Sequence, residues 1–99
     1  MNFPIVIKYS GLDELQYVED KSELLAFQTS INTDQDVLID SKGRCFELND
    51  KADHDETGKL SLNQFEGLIK KHALITGLCC TAKIRITSFV QGIEIVKEA

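Results

Sequence analysis

The stretch DHDETGKLSLNQF, residues 53–65, places oxygen-bearing side chains around one glycine at a spacing that suits a calcium ion. An EF-hand loop has twelve residues, with oxygen ligands at the first, third, fifth, seventh, ninth and twelfth positions and glycine at the sixth. Gly58 takes the sixth position when the loop begins at Asp53. The ligand positions are then filled by Asp53, Asp55, Thr57, Lys59, Ser61 and Gln64. This pattern predicts, as one alternative, a weak calcium-binding module.

The same stretch departs from the EF-hand pattern at its last ligand. That position needs a bidentate glutamate, whereas Gln64 offers one neutral carbonyl oxygen. An EF-hand also needs a helix before its loop, but the preceding segment reads as a strand. Ser61 and Gln64 have the spacing of a capping box, and Leu60 and Phe65 that of a hydrophobic staple. We therefore interpret residues 53–65 as a turn followed by a helix start, with no metal.

Cysteine and histidine give a second set of candidate ligands and nucleophiles. Cys79 and Cys80 are adjacent, whereas the cysteines of zinc sites are usually separated by two to four residues so that both thiolates reach one ion. Cys45 and His72 would complete four ligands or form a thiol–imidazole pair, but nothing in their spacing argues that they converge. We interpret the cysteines as small core residues. A thiol-dependent enzyme or metal site is the second alternative.

The two histidines have plain structural explanations. His72 lies on the apolar face of a predicted helix, where a half-buried imidazole with one hydrogen-bond partner is expected. His54 lies in the acidic segment between Glu47 and Glu56, and its neighbouring carboxylates are expected to favour the protonated form. Neither residue is assigned a catalytic role, and we predict no enzyme.

Composition fits one small domain, residues 1–99, with 42% hydrophobic and 27% charged residues. Sixteen acids against 11 bases give a net charge of -5, and the longest basic cluster is Lys70–Lys71. A nucleic-acid partner is therefore not expected, since such proteins carry basic patches. No apolar run is long enough for a membrane span, and the N-terminus lacks the basic region of a signal peptide. Three cysteines, an odd number, cannot all pair within the chain, so we expect reduced thiols in the cytoplasm.

The first half of the chain predicts two hairpins around a helix. Residues 4–10 and 14–19 are rich in β-branched and aromatic side chains and are joined by a glycine-containing turn. Residues 21–31 are predicted to form a helix, because apolar residues recur there at helical spacing after a capping box formed by Asp20 and Glu23. The segment DVLIDSKGRCFELN forms a second hairpin with its turn at DSKG.

The second half predicts a helix, a strand and a terminal element. Apolar residues recur three and four apart from Leu62 to Ala73, and Gly77 suits the helix end. In TAKIRIT, residues 81–87, apolar and polar residues alternate, which predicts a strand with one solvent-exposed face. Residues 88–98 favour a short helix, and an edge strand is the alternative because Gly92 and β-branched residues lower helix propensity.

These elements predict an α+β fold: an antiparallel sheet of about five strands with two or three helices covering one face. The predicted order is ββαββαβ followed by the terminal helix.

The chain resembles a family of short, uncharacterised bacterial proteins of about a hundred residues. The resemblance is carried by the hairpin DVLIDSKGRCFEL, the helix start LSLNQF and the ending KIRITSFVQGIEIV. It implies the same fold and no particular activity. We therefore expect a non-catalytic protein-interaction module without a cofactor. Its partner would be another protein or a second copy, docking at a face of the sheet or an unpaired edge.

Overall fold

The computed structural model describes residues 1–32, 35–49, 53–77 and 83–98. Its strands are β1 (Ile5–Lys8), β2 (Leu15–Val18), β3 (Val37–Ile39), β4 (Arg44–Leu48) and β5 (His54–Lys59). Its helices are α1 (Lys21–Phe27), which continues into the 3-10 turn Gln28–Ser30, α2 (Leu62–Ile75) and α3 (Phe89–Glu98). None of the helices in these ranges combines the length and the apolar character that a membrane crossing requires.

The strands form one sheet in the order β2-β1-β3-β4-β5, and every neighbouring pair is antiparallel. The predicted α+β fold, a five-stranded antiparallel sheet with three helices, is confirmed. Both predicted hairpins are present, because β1 pairs with β2 and β3 with β4. The β1–β3 pairing joins them into one sheet.

The fifth strand comes from an unexpected segment. β5 occupies the acidic stretch that the sequence predicts as a turn, and it pairs with β4 from Arg44↔Lys59 to Leu48↔His54. The strand predicted over residues 81–87 is wrong for its described part, because residues 83–87 belong to no strand. Residues 81 and 82 lie outside the described ranges.

Helices pack on both faces of the sheet, and the expectation that they cover one face is wrong. One core lies on the α1 side and contains Leu24 with alternate strand residues such as Ile5, Ile7 and Leu38. The other core lies on the side of α2 and α3 and contains Val6, Ile39, Phe65, Ile69, Ile93 and Val96. Because successive side chains of a strand point to opposite faces, the apolar run IVI of β1 serves both cores.

End-of-helix chemistry appears largely where the sequence predicts it. The side chain of Asp20 accepts a hydrogen bond from the Glu23 amide at the start of α1. Ser61 and Gln64 form the complete capping box of α2. The chain turns just beyond α2 at Gly77, with a positive φ of 78°. The terminal segment is the helix α3, so its edge-strand alternative is wrong.

A fully buried carboxylate holds the β3–β4 turn together. Asp40 accepts hydrogen bonds from the amides of Asn2 (3.0 Å), Lys42 (2.9 Å) and Arg44 (2.9 Å), and from the Arg44 Nε (3.0 Å). Burial alone would raise the pKa of Asp40, but these amides and the guanidinium hold it below its usual value. The bond from Asn2 ties the N-terminal segment to the turn.

A serine in the same turn adds two further bonds to this segment. The Ser41 amide donates to the Asn2 carbonyl (3.0 Å), and its hydroxyl donates to the Pro4 carbonyl (2.6 Å). The N-terminal residues are therefore fixed beside β3 and β4, where Met1 and Phe3 pack against the α1-side core.

Candidate functional site

The six residues of the calcium alternative do not form a loop around a common point. Residues from His54 to Lys59 form an extended strand, which rises roughly 3.3 Å per residue. Asp53 and Lys59 therefore lie at opposite ends of β5, and the Asp55 carboxylate accepts a hydrogen bond from Asn49 (3.1 Å). In the described part of the chain, no group of three or more His, Cys, Asp or Glu side chains could hold a metal ion.

The last two residues of that pattern, Ser61 and Gln64, hydrogen-bond to each other. The Gln64 amide donates to the Ser61 hydroxyl (3.1 Å), and the Ser61 amide donates to the Gln64 side-chain oxygen (2.8 Å). Leu60 packs in the same core as Phe65, in agreement with the predicted staple. Thr57 has its hydroxyl 3.5 Å from the Cys45 carbonyl. The geometry therefore fits the helix-start interpretation and not an EF-hand.

The thiol alternative is divided between described and undescribed residues. Cys79 and Cys80 lie outside the described residues. Cys45 is a free, half-buried thiol on β4 whose pKa is raised by burial and by the charge of Asp40. A raised pKa disfavours the thiolate, which is the nucleophilic and metal-binding form.

His72 lies far from Cys45 across the sheet. It is buried, and its Nδ1 accepts a hydrogen bond from the Leu15 amide of β2 (2.9 Å). β2 and β4 are three strand spacings apart, or roughly 14 Å. Burial lowers the pKa of His72, and nearby Glu14 opposes that effect. His72 and Cys45 therefore do not form a thiol–imidazole pair.

A hollow lies on the other face of the sheet, between α1 and β4–β5. We call it the α1 cleft, and its volume is about 480 Å³. Its apolar lining consists of Met1, Phe3, Leu24, Leu25 and Phe46. Its polar lining consists of Lys21, Gln28, Asp53 and His54. The volume falls within the range of about 300–1,000 Å³ that is usual for ligand-binding sites.

One face of α1 forms a wall of this cleft. Lys21, Leu24, Leu25 and Gln28 follow one another at intervals of three, one and three residues, so they lie on one side of the helix. Leu24 is buried in the core, whereas Leu25 is 59% exposed. The apolar surface therefore continues from the core into the open cleft.

The opposite wall belongs to β4 and β5. Phe46 lies directly opposite Glu56, and Leu48 opposite His54. Because directly opposite residues share a face, His54 and Glu56 point to the same side as the two core residues. The sequence predicts the β4 part of this wall as a hairpin strand, but it misses the β5 part, where it predicts a turn.

The expected protonation of His54 by its acidic neighbours is wrong. His54 is half-buried, and its buried Nε2 has no hydrogen-bond partner among the described residues. Burial lowers the pKa of His54, and the charge of Asp53 only partly opposes that effect. The wall of the α1 cleft therefore carries a neutral imidazole at neutral pH.

Comparison with known proteins assigns residues 3–96 to one family. The family model of DUF4144, described as a protein structure with unknown function, matches residues 3–96. The chain belongs to the DUF4144 family. The predicted resemblance to a family of uncharacterised proteins of this size is confirmed.

A solved structure shows the same fold as this DUF4144 chain. It is the NMR structure of a protein from Shewanella amazonensis, with a TM-score of 0.77 and 24% sequence identity. The match covers 99% of this chain and 89% of that one. The comparison with curated proteins found no match. The family description assigns no activity, so a function for this DUF4144 chain has to be argued from its own surface.

Proposed function

We propose that this DUF4144 chain is a non-catalytic protein-interaction module of the bacterial cytoplasm, which binds an apolar segment of another protein in the α1 cleft. The observation that carries the proposal is the position of Leu25. It lies beside buried Leu24 on the same face of α1, yet 59% of it is exposed above a cleft that Phe3 and Phe46 also line. Exposed apolar surface that continues a core is typical of protein-binding sites.

One edge of the sheet is protected against the addition of a strand. β2 is an edge strand, and the Leu15 amide on its free side donates to His72. The Tyr17 carbonyl, two residues along and therefore on the same side, accepts from the Gln16 side chain (3.0 Å). A docking strand would have to displace both side chains.

The other edge is protected by charge and by irregular pairing. All residues of β5 after His54 are exposed, and they include Asp55, Glu56 and Lys59. Thr57 has no partner in the ladder, because the register shifts between Gly58↔Cys45 and Glu56↔Phe46. Charges and bulges on edge strands oppose pairing with another chain. These features favour docking at a face over docking at an edge.

The described candidates for catalysis support a non-catalytic role. The Cys45 thiol has a raised pKa, and His72 is bonded to the backbone of β2. His54, on the wall of the α1 cleft, adjoins apolar side chains and Asp53, and the described residues that line the cleft include no serine, threonine or cysteine. An apolar floor with a few polar groups at its rim is suited to binding.

The test is selection of peptides from a displayed library on the wild-type protein, followed by affinity measurements on two variants. Leu25→Glu places a charge in the cleft, whereas Leu74→Glu changes a leucine on α2 that is 66% exposed and lies outside the cleft. We expect Leu25→Glu to lower the affinity for the selected peptides at least about tenfold, as loss of a central apolar contact does. We expect Leu74→Glu to have little effect.

Nuclear magnetic resonance gives the location of binding. Selected peptides should shift the amide signals of Leu25, Phe46 and His54. If selection recovers no peptide above background, or if the peptides bind Leu25→Glu as tightly as wild type, the proposed function is wrong.

A further inference from the structure

The contact between α2 and the edge strand β2 depends on one buried imidazole. His72 of α2 is 3% exposed, and its Nδ1 accepts a hydrogen bond from the Leu15 amide on the free side of β2 (2.9 Å). We infer that His72 is a pH-sensitive switch, which covers this edge of the sheet at neutral pH and opens it in mild acid while the strands stay paired. The inference goes beyond the proposed function, which concerns the α1 cleft on the other face of the sheet.

The hydrogen bond from Leu15 fixes the tautomer of His72. An amide N–H donates only to a nitrogen with a free lone pair, so Nδ1 is unprotonated and the single proton of the neutral ring is on Nε2. A second proton would enter at Nδ1, where it would face the Leu15 N–H, donor against donor. Protonation therefore replaces the hydrogen bond with a repulsive contact.

The surroundings of His72 suit the neutral ring and not the charged one. Its Nε2 is buried and has no acceptor among the described residues. Its partner Leu15 and its neighbour in the chain, Ala73, are buried apolar residues. A buried charge is costly unless it is paired and hydrogen-bonded. The imidazolium is therefore stable only when the ring reaches water, which requires α2 and β2 to separate at this point.

The acidic groups near this contact do not offset the burial of His72. Burial lowers the pKa of His72, and the charge of Glu14, directly before β2, only partly opposes that effect. On α3, which packs on both α2 and β2, Glu94 acts on Tyr17 instead. His72 is therefore neutral at pH 7 in the closed state.

The basic groups around the contact are bound elsewhere or exposed. Lys8, on the neighbouring strand β1, donates its ammonium to the Leu12 carbonyl. Lys97 of α3 lies over an aromatic ring of β2 at 5.6 Å, and Lys71 of α2 is exposed. None of these three ammonium groups is among the charges that act on His72, so burial remains the cause of its lowered pKa.

The last turn of α2 can open without the rest of the domain. His72 lies in that turn, and the two residues after Ala73, Leu74 and Ile75, are 66% and 53% exposed. Little packing therefore holds the turn apart from His72 and Ala73. Segments with few buried contacts open at a lower free energy than the core does. β2 keeps its pairing with β1, because those bonds lie on its other side.

The direction of the pH effect follows from the two states of the contact. In the open state the ring is in water and takes up a proton near its ordinary pKa of about 6.5, whereas the closed state stays neutral to a lower pH. Below about pH 6.5 the open state therefore binds more protons, and each further unit of pH favours opening by up to about tenfold.

The test follows hydrogen exchange of the Leu15 amide by NMR between pH 7.5 and pH 5.5, with each rate divided by the intrinsic rate at the same pH. We expect the protection of Leu15 to fall several-fold below pH 6.5, and by up to about tenfold at pH 5.5. It should stay below the protection of the β3 amides in the middle of the sheet, because those open only when the sheet comes apart.

Two variants assign the effect to one histidine. His72→Asn keeps an oxygen for the Leu15 amide but does not titrate, so the protection of Leu15 should not change over this pH range. His54→Asn removes the other titrating imidazole, on the opposite face of the sheet, and should keep the wild-type fall at Leu15.

The inference is wrong if Leu15 loses protection equally in wild type and in His72→Asn, or if the His54→Asn control abolishes the fall. It is also wrong if Leu15 and the β3 amides are equally protected in wild type at pH 5.5. That last result would show that the whole domain unfolds and no local contact opens, and it needs no variant.

Discussion

At the scale of single residues, Asp40 is a polar side chain whose loss should strongly destabilise the fold. It is fully buried, it accepts three backbone hydrogen bonds, and it pairs with the Arg44 guanidinium at 2.9 Å. We expect Asp40→Ala to lower the free energy of unfolding by about 3 kcal/mol, because it leaves several donors and a charge without their acceptor. Urea denaturation measures this change.

The matched control for Asp40 is Asp13→Asn, which alters an exposed carboxylate in the β1–β2 turn. It should change the free energy of unfolding by no more than about 0.5 kcal/mol. A loss at Asp40 as small as that of the control would mean that the amide cluster contributes little to the fold.

The buried histidine His72 predicts that stability falls in mild acid. Burial lowers the pKa of His72 in the folded protein, while the unfolded chain titrates near the usual value of about 6.5. Below that pH the unfolded state binds more protons than the folded state, so the free energy of unfolding decreases. His54 acts in the same direction, because burial also lowers its pKa.

Denaturation between about pH 7.5 and pH 5 measures this effect, since the slope reports the difference in bound protons. His72→Asn keeps an oxygen near the position of Nδ1 that can accept from the Leu15 amide but removes the titration, so its slope should be smaller than that of wild type. A folded-state titration of His72 by NMR with a pKa at or above about 6.5 would contradict the prediction.

At the scale of elements, the packing of α3 on α2 depends on a missing side chain. Gly92 is buried in α3, and a Cβ there would lie 2.6 Å from the ring of Phe65 and 3.3 Å from Ile69. Both neighbours are fully buried, so neither can move without disturbing the core. We expect Gly92→Ala to lower the free energy of unfolding by about 1–3 kcal/mol despite its better helix propensity.

Gly67 in α2 is the matched control, because a Cβ there meets no atom within 4 Å. Gly67→Ala should raise the free energy of unfolding by about 0.5–1 kcal/mol, since glycine costs about that much in a helix interior. Thermal or urea unfolding of both variants gives the comparison. If both variants raised the free energy of unfolding, backbone freedom, and not the contact with Phe65, would decide the outcome at Gly92.

Most helices and hairpins could be predicted because each carries its own local signal. The Ser61–Gln64 capping box and Gly77 mark the start and end of α2 in the sequence as clearly as in the structure. β5 could not be predicted, because its residues after His54 are exposed and show no alternation of apolar and polar side chains. Such an edge strand is held by its backbone ladder to β4, and the sequence of HDETGK does not record that ladder.

The segment around Ile84 and Ile86 gave the opposite error, because its sequence predicts a strand where the structure has none. Its alternation is real, since both isoleucines belong to the core beside α2 and α3. The Ile86 amide, however, donates to the Glu66 carboxylate of α2 (3.0 Å) and not to a strand. That bond, with help from Lys70 and Arg85, lowers the pKa of Glu66. Alternation therefore identified a segment with one buried side, and it did not identify what the segment packs on.

At the scale of the whole molecule, the sequence could show which residues are apolar but not which of them remain uncovered. Leu24 and Leu25 both fit the apolar face of α1, yet one is 4% and the other 59% exposed. The difference arises because α1 contacts β2 at one side of the sheet and leaves the cleft beside β4 and β5. The candidate site therefore depends on tertiary packing, which local periodicity does not encode.

At the same scale, we predict that the charged β5 edge of the sheet keeps the protein monomeric. Asp55, Glu56 and Lys59 are exposed on β5. The variant Asp55→Thr/Glu56→Thr/Lys59→Thr keeps the strand but removes these charges, and threonine suits an exposed strand. We expect this variant to associate through paired β5 edges, while wild type stays monomeric at the same concentration.

Light scattering measures the association, and broadening of the β5 amide signals in NMR locates it. The control Asp13→Asn/Glu98→Gln/Lys71→Gln also removes two acids and one base, so both variants change the net charge from -5 to -4. If the control associates as strongly as the edge variant, the overall charge keeps the chains apart. If only the edge variant associates, the charges on β5 keep the chains apart. A partner protein would then dock on the face of the sheet that carries the α1 cleft.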